Sequence, residues 1–378
     1  MSTCARRQRS AATSTPPNSL EHMTLEFTSK VREIPIYPAA ATYEFNGELV
    51  KLSSNETPWS PHPAVMEAVE SCLRTLNRYP DPANTVLRHT LAERFEVGVE
   101  RVAVGNGSCE ILLAAAQVLL EPGAEIVYAW PSFSMYPHLA AMAGARAVTV
   151  PLDSDHRHDL NAMAREVTVA TRMVIVCNPN NPTATALPVE EIEAFVAALP
   201  AHVLVFVDEA YIEFSTLRDP DESLRLLRHP NVVLLRTFSK IYGLCGLRAG
   251  YAIGPPEFRA AIDRVRQPFS VNALAQAAAT EALGHQDEVA SRVERTVAER
   301  LWLEEALAER GLESSESQAN FSWIDLGERD ELAVLEGLAR RGVIVRGGSD
   351  LGGPGHIRVT YGTRSQNESF IAALDELL

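Results

Sequence analysis

Residues 237–251 read TFSKIYGLCGLRAGY, and they follow directly from the apolar run NVVLLRT (231–237). A short apolar strand that opens into a glycine-punctuated turn rich in polar side chains is how a strand ends in a helix-covered parallel sheet, where function collects beyond the carboxyl ends. Working outward, the runs EIVYA (125–129), RMVIVC (172–177) and HVLVFVD (202–208) are further short apolar strands, and helical patterns alternate with them from about Pro63 onward. This alternation predicts an α/β fold, a mostly parallel sheet flanked by helices. After Pro268 the pattern changes to Ala- and Glu-rich helical sequence from about Asn272 to Arg310, then FSWIDL, a helix near 331–341, and the strands GVIVR and HIRVT. We read these as a smaller C-terminal α+β domain. The expected organisation is an unstructured arm over 1–22, with Met23 an alternative start, a segment over 23–62 packing on the small domain and an interface, a large domain over 63–270, and the small domain over 271–378.

In the opening stretch Lys240 sits beside two hydroxyls, with an arginine eight positions on. A deprotonated lysine forms an imine with an aldehyde, while hydroxyls and a guanidinium hold a dianionic phosphate. Thr237, Ser239 and Arg248 therefore read as a phosphate cup around Lys240; alone, such a lysine is more often a surface residue in a turn. VDEAY (207–211) ends another strand with an acid and a tyrosine. A carboxylate stabilises a protonated pyridine nitrogen and a phenol hydrogen-bonds a ring hydroxyl, the roles expected of Asp208 and Tyr211. Taken singly, Asp208 reads first as a helix cap.

Three further strings fit the same ligand. In CNPNNPT (177–183), two prolines and three asparagines make a rigid turn, from which Asn181 reaches a phenolate oxygen across an expected cis Asn181–Pro182 peptide. VGNGSCEILLAAAQVLL (104–120) is a strand end, a turn and a helix, so the backbone of Gly107 and Ser108 forms an anion site at a helix N-terminus, although N-capping explains most such serines. WPSFSMY (130–136) offers Phe133 as a flat stacking partner, with core filling the commoner fate of Trp130, Phe133 and Tyr136. A phosphate, an aldehyde, a pyridine ring and a phenol on one molecule describe pyridoxal 5'-phosphate.

Composition narrows the class. With 34 basic and 49 acidic residues the formal charge is −15, which opposes broad binding to nucleic acid or an anionic membrane. Five scattered cysteines without a CxxC pair support neither a disulfide framework nor a metal site, and suit a reducing cytoplasm. No apolar run is long enough to span a bilayer, and the basic start leads into a polar stretch rather than a signal-peptide core.

Together SKxYGLxGLRxGY, DEAY, NPNNPT, GNGS and PSFSMY resemble the fold type I enzymes of the aspartate aminotransferase superfamily. KLSSNETPWSPHP (51–63), RYPD (78–81) and GVIVR…HIRVTYG (342–362) most resemble the histidinol-phosphate aminotransferase group, which includes aromatic aminotransferase relatives. The resemblance implies a homodimer in which Tyr79 reaches the cofactor phosphate of the neighbouring subunit, with Tyr37 and Asn55 lining the substrate pocket. It also implies that Arg358 binds the carboxylate of glutamate or 2-oxoglutarate, or a substrate phosphate. Arg346 is a second candidate for a substrate phosphate, or equally one half of a structural ion pair. The chain departs from the group at IPIYPAAATYEF (34–45), where Tyr-x-Pro-Gly is common, and at Cys109, where an acid is usual.

These readings predict ping-pong transamination with histidinol phosphate as the first-ranked donor and 2-oxoglutarate as acceptor. An aromatic aminotransferase is the alternative. A phosphothreonine-type decarboxylase and a non-catalytic cofactor sensor follow, the latter disfavoured because the N-terminal arm is too short for a winged helix and the net charge is of the wrong sign for DNA.

Overall fold

The computed structural model describes residues 26–28, 31, 34, 47 and 49–378; Tyr37 and the arm over 1–22 lie outside the described residues. The α/β architecture read from the sequence is the one observed. A short strand β1 (Val50–Lys51) leads to helices α1 (Pro63–Leu73) and α2 (Thr85–Arg94), and then to strand β2 (Val102–Gly105) and helix α3 (Ser108–Leu119). The chain continues through β3 (Glu125–Trp130), α4 (Met135–Ala143), β4 (Arg146–Pro151), α5 (Leu160–Arg165), β5 (Thr171–Cys177), α6 (Val189–Ala198), β6 (Leu204–Asp208), β7 (Val232–Thr237), β8 (Gly250–Ile253), α7 (Pro256–Val265) and α8 (Ala273–Leu283). The large sheet has the order β2-β8-β7-β6-β5-β3-β4. Only β8 runs antiparallel to its neighbours.

The central strands read as unbroken apolar runs because both faces are covered. Along β5, Val174 and Val176 enter one core cluster, while Met173, Ile175 and Cys177 enter the cluster on the opposite face. The same period of two places Val205 and Val207 opposite Phe206 in β6, and Val232 and Leu234 opposite Val233 and Leu235 in β7. Parallel pairing then brings the informative ends together, since Cys177 pairs with Asp208, and Asp208 with Leu235, two residues short of Thr237.

The second unit comprises α9 (Gln286–Ala308), β9 (Phe321–Asp325), α10 (Glu331–Arg340), β10 (Val343–Ile344), β11 (Arg346–Gly347), β12 (His356–Thr360) and α11 (Arg364–Asp375). Its antiparallel sheet has the order β11-β12-β9, and β1 pairs in parallel with β10. Here the boundary near residue 270 needs correction. Ala275, Ala278, Ala279 and Leu283 of α8 are buried in the large-domain core, whereas the small-domain core starts with Leu52 and resumes at Leu303 in α9. Helix composition alone does not reveal which core an alanine face meets.

On β12, Ile357 and Val359 face the small-domain core. Arg358 and Thr360 therefore point the other way, across to the large domain.

Candidate active site

A cavity of about 390 Å³ opens at the carboxyl ends of the central strands. Its lining includes Lys240, Asp208, Tyr211, Asn181, Thr237, Ser239, Arg248, Ser108 and Phe133, which the fold gathers from five separate strings of the chain.

Lys240 is half-buried, its Nζ 3.1 Å from the Ser54 carbonyl oxygen and 5.6 Å from the centre of the Tyr211 ring. Burial, and then the charge of Arg358, lowers its ammonium to about 8. The result is an amine that gives up its proton within about a unit of physiological pH.

Asp208 is buried. Tyr136 donates a 2.8 Å hydrogen bond to its Oδ2, while Oδ1 is buried without any hydrogen-bond partner. Burial raises this carboxyl to about 6. A buried carboxylate oxygen facing a cavity with no donor is costly, and a pyridinium N–H supplies both the missing donor and the missing positive charge. On this observation the residues fit pyridoxal phosphate.

At the other end, the residues expected to cup a phosphate are brought together by close approach. The first turn of α3 has no side-chain cap, so its amides face outward. Gly107 has φ +76°, and a Cβ there would lie 2.5 Å from Arg248 Nη2; a Cβ on Gly250 would lie 2.3 Å from the Ser108 nitrogen. Arg248 takes a left-handed backbone at φ +63°, which curls its guanidinium back to the Cys245 carbonyl oxygen at 3.0 Å and the Ser239 hydroxyl at 3.4 Å. Thr237 lines the cavity, and its hydroxyl also braces the turn by accepting from the Ser239 amide at 3.0 Å.

The three asparagines of the 177–183 turn divide their work. Asn178 ties the turn to Leu187, and Asn180 ties it to Ser132, Pro131 and Thr183. Asn181 lines the cavity and accepts from Arg358 Nη1 at 2.5 Å, which leaves its own NH₂ group as donor. The Asn181–Pro182 peptide is cis, as are Asn178–Pro179 and Trp130–Pro131. Arg358 is buried and also donates to the Ser53 carbonyl oxygen at 2.7 Å. Behind the cavity a buried Arg236–Glu209 pair at 2.8 Å fastens the ends of β6 and β7 to each other.

Other sequence candidates stand elsewhere. Asn55 was expected to line the substrate pocket, but it is buried behind Tyr211, to whose phenol oxygen it donates at 3.0 Å. Arg346 does not line the cavity and faces Asp350 at 3.6 Å. Tyr79 is 83% exposed and stacks on Phe269, ring centres 4.6 Å apart. Conversely, sequence reasoning gave no role to Tyr136 as the partner of Asp208, 72 positions away, nor to Cys109, Cys177 and Cys245 as lining. No local signal marks any of these. Burial pushes the Cys109 thiol up and Cys177 to about 12, so neither is a ready nucleophile.

A family model for aminotransferase class I and II matches residues 47–374. The chain belongs to the class I and II aminotransferases. It is a pyridoxal-phosphate-dependent aminotransferase of fold type I, a family that works on amino and keto acids. This aminotransferase is 44% identical over 347 residues to an aromatic amino acid aminotransferase of Cutibacterium acnes, covering 92% of the chain and 97% of the relative. It is 45% identical over 347 residues to another of that name from Thermobifida fusca, covering 91% and 94%. Among solved structures, the aminotransferase resembles histidinol-phosphate aminotransferase from Sinorhizobium meliloti in complex with pyridoxal 5'-phosphate, with TM-score 0.84, 28% identity and coverage of 94% and 98%. It also resembles aspartate aminotransferase from Thermus thermophilus with maleate, with TM-score 0.78, 27% identity and coverage of 88% and 92%. Among the described residues no helix is long and apolar enough to cross a membrane.

Proposed function

We propose that this enzyme transfers the amino group of an aromatic amino acid to 2-oxoglutarate. The observation that carries the donor is the likeness, at 44–45% identity over nine-tenths of the chain, to relatives named aromatic aminotransferases, against 28% to the histidinol-phosphate enzyme. This reverses the order of donors expected from the sequence motifs. The reversal has structural support. Ser239, Arg248 and the α3 N-terminus are taken up by the cofactor's phosphate in this reading, and Arg346, the candidate for a second phosphate, stands at Asp350 and outside the cavity lining.

When bound, pyridoxal phosphate supplies an aldehyde for the amine and a ring that draws electrons from the substrate's α-carbon. Asp208 Oδ1 would hold the ring nitrogen protonated, Asn181 and Tyr211 would hydrogen-bond the ring oxygen, Phe133 would cover a ring face, and Ser108, Thr237, Ser239 and Arg248 would hold the phosphate. Lys240 Nζ, the amine nearest the reacting end of the cavity, would take up and return the proton of the substrate's α-carbon. Arg358 is itself buried just outside the lining, but unlike Arg346 it is bonded to a lining residue, Asn181, and from there it would anchor the α-carboxylate of both substrates.

Competition in one vessel tests the donor. With phenylalanine and histidinol phosphate at equal concentration and 2-oxoglutarate as acceptor, phenylpyruvate forms at least about tenfold faster than the product of histidinol phosphate, a difference worth ~1.4 kcal/mol at the transition state. Faster use of histidinol phosphate restores the rejected order. Carbon dioxide release without a keto acid points to a decarboxylase.

A further inference from the structure

Asn55 has backbone φ +54°, is 1% exposed, and has every polar group engaged. Its amide N–H donates to Thr360 Oγ1 at 2.9 Å, and its carbonyl oxygen accepts from Asn320 Nδ2 at 3.2 Å. In the side chain, Oδ1 accepts from Thr360 Oγ1 at 3.1 Å and Nδ2 donates to Tyr211 Oη at 3.0 Å.

The bonds run in one direction, from Thr360 through Asn55 to Tyr211. The Thr360 hydroxyl accepts from the backbone amide of Asn55 and gives its own hydrogen to Oδ1, so the carbonyl end of the side-chain amide faces Thr360. The NH₂ end is then turned to Tyr211, and an NH₂ group can only donate. Tyr211 Oη spends an acceptor lone pair on Asn55, and the phenol hydrogen must go elsewhere. Tyr211 lines the cavity, so the remaining direction is into it.

We infer that Asn55 is a positioning residue for the reaction: it fixes the phenol proton of Tyr211 toward the cofactor's ring oxygen and strengthens that bond by polarising the hydroxyl. The inference rests on the proposed seating of the cofactor against Tyr211. Its chain of bonds also spans three parts of the molecule, with Asn55 after β1, Thr360 and Asn320 in the small domain, and Tyr211 in the large one. The hydrogen bond offered to the cofactor is thereby tied to the seating of the small domain.

The test is a pH titration of the absorbance band of the lysine-linked cofactor in the holoenzyme, which reports the proton shared between that link and the ring oxygen. A donor on the ring oxygen favours its anion and lowers the apparent pKa, so loss of the donor raises it. Asn55→Gly keeps the left-handed backbone and removes the amide. It is expected to raise the apparent pKa by about half a unit, the scale of one hydrogen bond. Tyr211→Phe raises it further, and the double variant matches Tyr211→Phe alone, because Asn55 acts only through the phenol. The charged and titratable groups that face Tyr211, namely Lys240, Arg358, Asp208 and Cys177, are the same in every variant.

Should Asn55→Gly fail to fold, Thr360→Val and Thr360→Ser make the same test. Valine frees the amide to turn and shifts the titration upward, and serine restores the wild-type value. An unshifted titration in Asn55→Gly, or an equal shift with Phe at 211, overturns the inference. No shift in Tyr211→Phe itself sinks the seating of the cofactor on which it rests, and the inference with it.

Discussion

Lys240 and Asp208 sit in one cavity with their ionisation displaced in opposite directions, the lysine down to about 8 and the aspartate up to about 6. Both shifts arise first from burial, which penalises charge of either sign. The lysine gains from it, because only the neutral amine attacks an aldehyde. For a lysine whose native pKa lies near 8, the charged form dominates below that value and the neutral form above it. Capture of pyridoxal phosphate by the cofactor-free enzyme should therefore quicken about tenfold per pH unit up to pH ~8 and level off above it. Stopped-flow absorbance measures this directly, and a rate still climbing beyond pH 9.5 shows an unshifted lysine. At this scale the sequence was legible wherever a motif holds its chemistry within a few residues, as at Lys240, Asp208, Asn181 and Arg248. It was silent where the partner is distant in the chain: nothing in WPSFSMY says that Tyr136 will bond Asp208, and nothing in LSSN says that Asn55 will brace Tyr211 rather than meet substrate.

The elements that matter most are the strand ends and the first turn of α3. Parallel pairing of β5, β6 and β7 brings together Cys177, Asp208 and Thr237, each a strand's last residue. These strands were legible because burial on both faces demands unbroken apolar runs. The edge strand β4 and the antiparallel β8 were not, since β4 is exposed at Arg146, Ala147 and Thr149 and β8 directly continues the glycine-rich motif. At the α3 turn, Gly107 occupies a backbone region that is essentially glycine's own, and entering it costs other residues about 1–3 kcal/mol. Gly107→Ala also drives a methyl group against the Arg248 guanidinium. We expect it to lower the melting temperature and weaken cofactor affinity by about tenfold or more, read by calorimetry and equilibrium dialysis. Unchanged affinity would remove the α3 turn from the phosphate site.

For the whole molecule, two cores of different pattern explain why the domain boundary was misread: α8 is helical and alanine-rich like α9, yet its buried face belongs to the large domain. The surface carries a second message. Tyr79 and Phe269 stack in the open, with Leu76, Leu73 and Met66 exposed nearby in the chain. We propose that this surface meets a second copy in a twofold dimer, where Tyr79 contributes to the partner's cofactor phosphate. Sedimentation should find a dimer, and Tyr79→Ala should remain dimeric while binding the cofactor about tenfold more weakly; a monomeric wild type with full activity refutes the shared site. The amino donor is read most directly from a single turnover, which avoids the complication of product release. The cofactor-loaded enzyme is mixed separately with phenylalanine and with histidinol phosphate while the lysine-linked cofactor band is followed. Rapid loss of the band is expected with phenylalanine and slow loss with histidinol phosphate; the opposite order would overturn the aromatic donor and return Arg346 and Arg358 to the role of phosphate ligands.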